Sequence, residues 1–219
     1  MKIEAFGVIL KRLHAVDLEM VRRWRNDPKI RTSMFFQEEI TSESQQRWFL
    51  QVNNPLHYYF VIYHEQQPLG LIHLSDINKS NLTAYAGLFV YEDRYLHTDI
   101  PSRASLAMLH VFLSGRGMKT IYAKVRGENQ IAHRYNTMLG FEKHQVIENG
   151  NGVEYMLQAP VFEMRTTALR QYAVKPFGNR VFVYLDEQTK ASLPGIEIAE
   201  TSPVIDWITP AISSANPST

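Results

Sequence analysis

The chain has no cysteine, which excludes a disulfide framework and any thiolate metal site. It also lacks a charge excess: 23 Lys plus Arg stand against 22 Asp plus Glu, a net charge of +1. Sequence-independent binding of nucleic acid needs a concentrated basic surface. No long basic run is present, so nucleic acid is not an expected partner. A membrane is not expected either, because no stretch approaches the ~20 apolar residues of a spanning helix. The opening MKIEAFGVILKRLH carries only a short apolar stretch and no small-residue cleavage site. A soluble, cytoplasmic protein is the expectation. No His, Asp and Glu residues fall at metal-ligand spacing, and no Ser-His-Asp signature is visible. What the chain does have is 45% hydrophobic residues in a length of 219. That suits one main domain with a proper core and an appendage.

Residues 7–13, GVILKRL, read as a strand, and AVDLEMVRRWRND reads as an amphipathic helix with Leu18, Val21 and Trp24 on one face. TSESQQRWFLQV predicts a second helix, capped by Thr41 or Ser42, with Trp48, Phe49 and Val52 inward. HYYFVIYHE, PLGLIHLSDI and LTAYAGLFVYE form a three-strand meander, its first turn around Gln66–Pro68. PSRASLAMLHVFLSG is a helix with Pro in its first turn and Gly115 at its end, and KTIYAKV is a buried strand. ENQIAHRYNTMLGF is a helix ended by Gly140, followed by the strands FEKHQVIE and GVEYMLQAPVF. The order β-α-α-β-β-β-α-β-α-β-β describes a mixed α/β domain closing near residue 163. Beyond it, EMRTTALRQYAV suits a helix and NRVFVYLD a strand, before a loosely ordered tail from Lys190 with Pro194, Pro203, Pro210 and Pro217.

That order, with Asn129, Ala132, Leu139, Gly140 and Phe141 at their positions in the penultimate helix, resembles the GNAT superfamily of acyl-CoA-dependent N-acyltransferases. Trp-Arg-Asn at 24–26 and Ile-Thr…Trp at 40–48 resemble more narrowly the members that acetylate nucleotide-linked amino sugars, as in the pseudaminic acid pathway. Gln45 stands where that subgroup often has His. The likeness covers residues 7–160 and implies the GNAT fold, acetyl-CoA as acyl donor and a primary amine as acceptor.

Such a transfer needs the donor's pyrophosphate held by free backbone N–H groups at a helix start. It needs a thioester carbonyl polarised by a central-strand amide, and groups that take the amine's proton and assist the leaving thiolate. The resemblance implies that Phe89 and Val90 line the thioester and that Asn129 opens the donor helix. The family's proton donor is frequently a Tyr seven residues after that Asn, but Asn136 occupies the position and Tyr135 lies beside it. Asn136 can hydrogen-bond a thiolate without supplying a proton. Tyr135 is either a core aromatic or a hydroxyl that still reaches the sulfur. The pyrophosphate loop is expected to be Gly-rich, yet DRYLHTDIPSRASL contains no Gly, Pro101 lacks an N–H, and Asp99 adds a negative charge. Arg94, His97 and Arg103 could offset that charge, with Thr98 and Ser102 donating hydroxyl bonds. TDIPS reads equally as an ordinary helix start.

His73 is the candidate base, weighed against a packed strand histidine. Arg25 could pair with a nucleotide diphosphate. Asn26, Met34, Phe35 and Tyr85 complete the expected acceptor site, beside a wall that includes Phe36. Three functions follow: acetylation of a nucleotide-linked amino sugar, acetylation of a protein or another small amine, and a lapsed domain that binds without catalysis. Self-association as a homodimer is compatible with each.

Overall fold

The first residues fold back on themselves. β1 (Lys2–Ala5) alternates half-buried and buried side chains and pairs antiparallel with β2 (Val8–Arg12) across a tight turn at Phe6–Gly7. The apolar pattern predicts a strand only at the second of these, and β1 is an addition. The structure, a computed structural model, describes residues 1–147, 150–178, 180–185 and the strand at 204–206.

After a single 3-10 turn come α1 (Leu18–Asn26), the short α2 (Pro28–Arg31) and α3 (Ser42–Val52). Asp27 caps α2 by accepting from the Lys29 amide, and Thr41 caps α3 by accepting from the Ser44 amide. The meander is β3 (Tyr58–His64), β4 (Gln67–Asn78) and β5 (Thr83–Val90). Next are α4 (Ile100–Leu109), which widens into one π turn to Gly115, then β6 (Thr120–Arg126) and α5 (Gln130–Met138). Gly140 takes φ +89°, the left-handed geometry that ends α5. β7 (Glu142–Val146) and β8 (Gly152–Gln158) follow.

The last strand expected in the domain, GVEYMLQAPVF, is therefore shorter than its apolar run and ends at Gln158. Pro160 lies in the first turn of α6 (Ala159–Arg165), so the proposed boundary at residue 163 falls inside a helix. α7 (Thr167–Phe177) and β9 (Arg180–Tyr184) match the helix and strand expected in the extension. β9 pairs with β1, and β10 (Val204–Asp206) pairs with β9, so the extension adds to the same sheet. The sheet order is β10-β9-β1-β2-β3-β4-β5-β6-β8-β7. Apart from 204–206, the tail expected to be loosely ordered lies outside the described residues.

Strand alternation sends side chains to two cores. One holds Phe60, Ile62, Ile72, Leu74 and Ala84 with the residues of α4. The other holds Val61, Leu71 and Phe89 under Leu18, Val21 and Trp24 of α1. α4 is buried along its whole length. Among the described residues, no helix is long and apolar enough to cross a membrane.

Candidate active site

Among the described residues, β5 and β6 are the one parallel neighbour pair of the sheet, and they pair only from Thr83↔Thr120 to Tyr85↔Tyr122. Beyond that point each keeps its outer partner. β5 stays in register with β4 through Gly70↔Val90, and β6 with β8 through Arg126↔Gly152. The two strands therefore part into a fork. Backbone groups that a ladder would satisfy face the gap instead. The Tyr91 amide bonds the Leu69 carbonyl on the β4 side at 2.7 Å. Alternation along an antiparallel strand then turns the amides of Leu88 and Val90 toward the gap. A row of amides in a fork can polarise a carbonyl placed there. The side chain of Phe89 is used differently, packing edge-on against Trp24 at 6.3 Å between centroids.

The wall on the α1 and α3 side is a cross-strand row of Tyr59, His73 and Gly87. The His73 imidazole leans over Gly87, where a Cβ would meet its Cδ2 and Cε1 at 3.2 Å and its Nε2 more closely still. Only Gly admits the ring there, and the fork begins beside it. The ring also stacks on Tyr59 at 4.8 Å and 23°, and Tyr59 receives the edge of Trp48 at 4.9 Å. Among the described residues, His73 Nδ1 is buried without a hydrogen-bond partner. Burial, reinforced by the Arg25 charge, lowers its pKa to about 4, so the imidazole is neutral near pH 7. Arg25 is half-buried, its Nε has no partner among the described residues, and burial also lowers its pKa. Next to this row, β4 bulges at Asp76, which adopts φ +54° and gives its amide to His57 Nδ1 at 3.2 Å. Ser75 donates to the Asp76 carboxylate at 2.9 Å.

The facing wall, on the same side of the sheet, starts from Tyr85, expected at the acceptor site, and adds Tyr122 and Glu154. Tyr85 and Tyr122 stand at the branch point with ring centroids 5.5 Å apart. Tyr85 donates its hydroxyl to Glu154 Oε2 at 2.9 Å, and Gln145 donates to Oε1 at 2.9 Å. Glu154 is only 4% exposed. Burial, and then the bond to this carboxylate, raises the Tyr85 pKa to about 12. The signal for Glu154 was in the chain: one acidic residue at an inward-alternating place in the apolar strand GVEYMLQ.

The α2–α3 connection roofs the end of this wall. Asn26 grips Ile40 from both sides, donating to its carbonyl and accepting from its amide, both at 2.8 Å. Its amide is thus committed to holding the loop rather than to an acceptor. Arg126 donates to the Met34 carbonyl at 3.2 Å, and the Phe35 ring lies 3.0 Å from where a Gly152 Cβ would stand. Met34 packs partly buried against the α1 core, while Phe35 and Phe36 are 44% and 54% exposed.

At the start of α4 the expected anion ligands are otherwise engaged. Arg103 is buried, donates to the Phe6 carbonyl at 2.7 Å, pairs with Asp99 at 3.1 Å and lies 4.7 Å from the Phe177 ring of α7. It is held by the fold, not offered to a phosphate. Thr98 and Ser102 donate their hydroxyls to the carbonyls of Tyr95 and Asp99. The Ile100 amide turns to Thr98 Oγ1 at 3.3 Å. Arg94 and His97 are exposed on the preceding turn, Arg94 over the Tyr95 ring at 4.7 Å.

Tyr135 Oη donates to the Pro101 carbonyl at 2.8 Å and shares a hydrogen with Ser105 Oγ at 2.7 Å. The ring is partly exposed but the hydroxyl is enclosed, and burial raises its pKa. The hydroxyl thus ties α5 to the first turn of α4. Asn136 donates back to the Ala132 carbonyl at 2.9 Å, within its own helix. Asn129 caps α5 by accepting from the Ala132 amide. His133 Nε2 faces the Gly127 carbonyl at 3.2 Å, which leaves Nδ1 to accept from Tyr155 at 2.8 Å. The structure therefore brings Arg25, His73 and Tyr85 to one side of the fork. Tyr135 serves the contact between α5 and α4, and Ser102 and Arg103 are bonded at the start of α4 itself.

An acetyltransferase (GNAT) domain family matches residues 8–142. Among curated proteins none matches the chain. Among solved structures, apo FdhC, a nucleotide-linked sugar GNAT, is 20% identical with a TM-score of 0.65, over 79% of this chain and 97% of that one. Spermidine N-acetyltransferase from Vibrio cholerae, in complex with CoA and spermine, is 17% identical with a TM-score of 0.63, over 71% and 98%. A domain from Methanocaldococcus jannaschii DSM 2661 is 19% identical with a TM-score of 0.60, over 69% and 97%. At these identities the likeness is one of fold.

Proposed function

Because the chain belongs to the GNAT acetyltransferase family, we propose that it moves an acetyl group from acetyl-CoA to a primary amine seated on the α1–α3 side of the fork. The observation that carries this reading is the parting of β5 and β6 after Tyr85 and Tyr122. Acetyl-CoA supplies a thioester whose carbon an amine can attack. The Leu88 and Val90 amides would polarise its carbonyl from the gap. Neutral His73 at the fork, with a lone pair to offer, would accept a proton from the incoming amine. With Arg103 enclosed and Pro101 lacking an N–H, the donor's diphosphate would fall to Arg94 and His97 on the exposed turn. No residue is assigned as proton donor to the thiolate, because Tyr135 and Asn136 are both bonded elsewhere.

For the acceptor, a nucleotide-linked amino sugar is our preferred reading. It is supported by the half-buried Arg25 with an unmatched Nε beside Tyr59, a place for a phosphate oxygen above an aromatic face. The roof held by Asn26 and Arg126 favours a compact acceptor over an extended peptide. The lapsed-domain reading is favoured by one observation, the closed start of α4 behind Asp99, Arg103 and Phe177. Calorimetry with acetyl-CoA, followed by thiol release in the presence of a nucleotide-linked amino sugar, spermidine or an aminoglycoside, tests these readings. Transfer to the sugar nucleotide supports the preferred one. Binding without any transfer, or no binding, sinks it and leaves the lapsed domain.

A further inference from the structure

The buried carboxylate on β8 takes no part in the reading above. Glu154 is 4% exposed, yet among the described residues no cation forms an ion pair with it. Its oxygens are held by two neutral donors, Tyr85 and Gln145. A buried carboxylate without a counterion is costly, so a cation nearby gains strongly from it. A cation of the chain already stands at the spot: the ammonium of exposed Lys124, the cross-strand neighbour of Glu154, lies 4.7 Å from the centre of the Tyr85 ring. That is cation–π range. Tyr85 is also the last residue before the strands part, so this ring and hydroxyl front the gap where the acyl group would be.

We propose that Tyr85 and Glu154 form the seat of the acceptor's ammonium group, and that Glu154, acting through the Tyr85 hydroxyl, takes the proton that frees the amine for attack. The inference rests on the acetyltransfer reading and adds to it the charge state of the acceptor: it arrives as a primary alkylammonium ion. The ion gives one proton to the Tyr85 oxygen while the Tyr85 proton passes to Glu154 Oε2. Tyr85 stays neutral throughout, as a group that resists ionisation must. The neutral amine then bonds to the acyl carbon as the carbon–sulfur bond breaks. Its second proton passes to neutral His73, the thiolate leaves and takes a proton from solvent, and Glu154 returns its own to solvent through Tyr85, which is only half-buried. Glu154 is a positioning residue in this scheme, and Lys124 is a stand-in that the acceptor displaces.

The test uses n-butylammonium as probe and n-butanol as its uncharged control, with binding followed by ligand-observed NMR on the full chain. Wild type is expected to bind the ammonium and not the alcohol. Glu154→Gln should weaken binding about tenfold, since it removes a charge-assisted partner. Glu154→Asp should recover part of the loss. Lys124→Gln, an exposed change that spares the fold, should tighten binding several-fold by removing the competitor. Tyr85→Phe should keep binding within a few-fold but lower kcat for whichever amine is turned over by about 10²-fold. No ammonium binding by wild type overturns the proposal, as does equal binding by Glu154→Gln or no gain from Lys124→Gln. Glu154-dependent ammonium binding without acetyl transfer to any amine would leave the seat standing and refute the transferase reading instead.

Discussion

Replacing Gly87 with Ala tests the geometry of the fork with one methyl group. The new Cβ would stand 3.2 Å from two carbons of the His73 ring and under 3.0 Å from Nε2, where real Cβ atoms essentially never lie. The ring cannot simply retreat. It is stacked on Tyr59 at 4.8 Å, and Tyr59 is backed by Trp48 at 4.9 Å. Forcing a methyl into a packed site of this kind costs about 1–3 kcal/mol. For a chain of this size each kcal/mol lowers Tm by roughly 2–4 °C. The same displacement moves the candidate base away from the gap, so kcat for acetyl transfer should fall with stability. A double-mutant cycle separates clash from general strand damage. In a His73→Ala background the obstacle is gone, and Gly87→Ala should then cost little, leaving a coupling of about 1–2 kcal/mol. Urea denaturation of the four proteins measures it. Equal cost of Gly87→Ala with and without the imidazole would refute the claim that Gly87 exists to admit His73.

Tyr135→Phe should lower stability by about 1 kcal/mol, the worth of an ordinary hydrogen bond, and change kcat less than tenfold. A loss near the 10²–10⁴-fold of a missing general acid would show that the hydroxyl serves the sulfur and not the α4–α5 contact. Asn26→Ala strips both bonds from Ile40 and should cost about 1–3 kcal/mol while exposing residues 32–41 to protease; unchanged proteolysis would refute its role as a staple. Burial holds His73 and His110 at about 4, below their ordinary 6.5. The unfolded chain therefore binds the extra protons between those values. Stability should be full above pH ~6.5 and fall as pH drops toward 4, by up to the order of 3 kcal/mol per histidine. A urea midpoint that does not shift between pH 7 and pH 5 would contradict this.

The legible parts of the fold were those with strong local signals. The meander announced itself through alternating aromatic and β-branched residues, and α5 through Asn129 and Gly140 at its ends. The misses have physical reasons. KIEA is too short and too polar to read as a strand until β2 and β9 pair on either side of it. QAPVF continues an apolar run, and only Pro160 in a first turn marks where strand becomes helix. For the site, Arg25, His73 and Tyr85 could be proposed because each sits on an element of clear period, and their functional roles stay proposals. Arg103 and Asn26 were misread because their side chains answer to tertiary partners, Phe6, Asp99, Phe177 and Ile40, that no spacing rule connects to them. Gly87 and Glu154 carried a signal only in retrospect, one as the residue without a side chain between Tyr85 and Phe89 and the other as a charge in an apolar strand.

The two ends of the fork differ in how much of their polar chemistry is already satisfied, and that difference bears on function. At the start of α4, the Asp99, Ser102, Thr98 and Tyr135 groups close on the chain itself, and Phe177 of the extension covers Arg103. Groups paired in this way gain little from a ligand, because a new bond must first replace an old one. On the acceptor side, among the described residues, Arg25 Nε and His73 Nδ1 are buried without partners, and Glu154 forms no ion pair. Unmatched buried polar groups carry their desolvation cost in the free protein, so a ligand that pairs with them gains the whole of that interaction. By this argument the acceptor side contributes more to recognition than the diphosphate side. Selectivity among acyl donors should therefore be weak, and selectivity among amines strong.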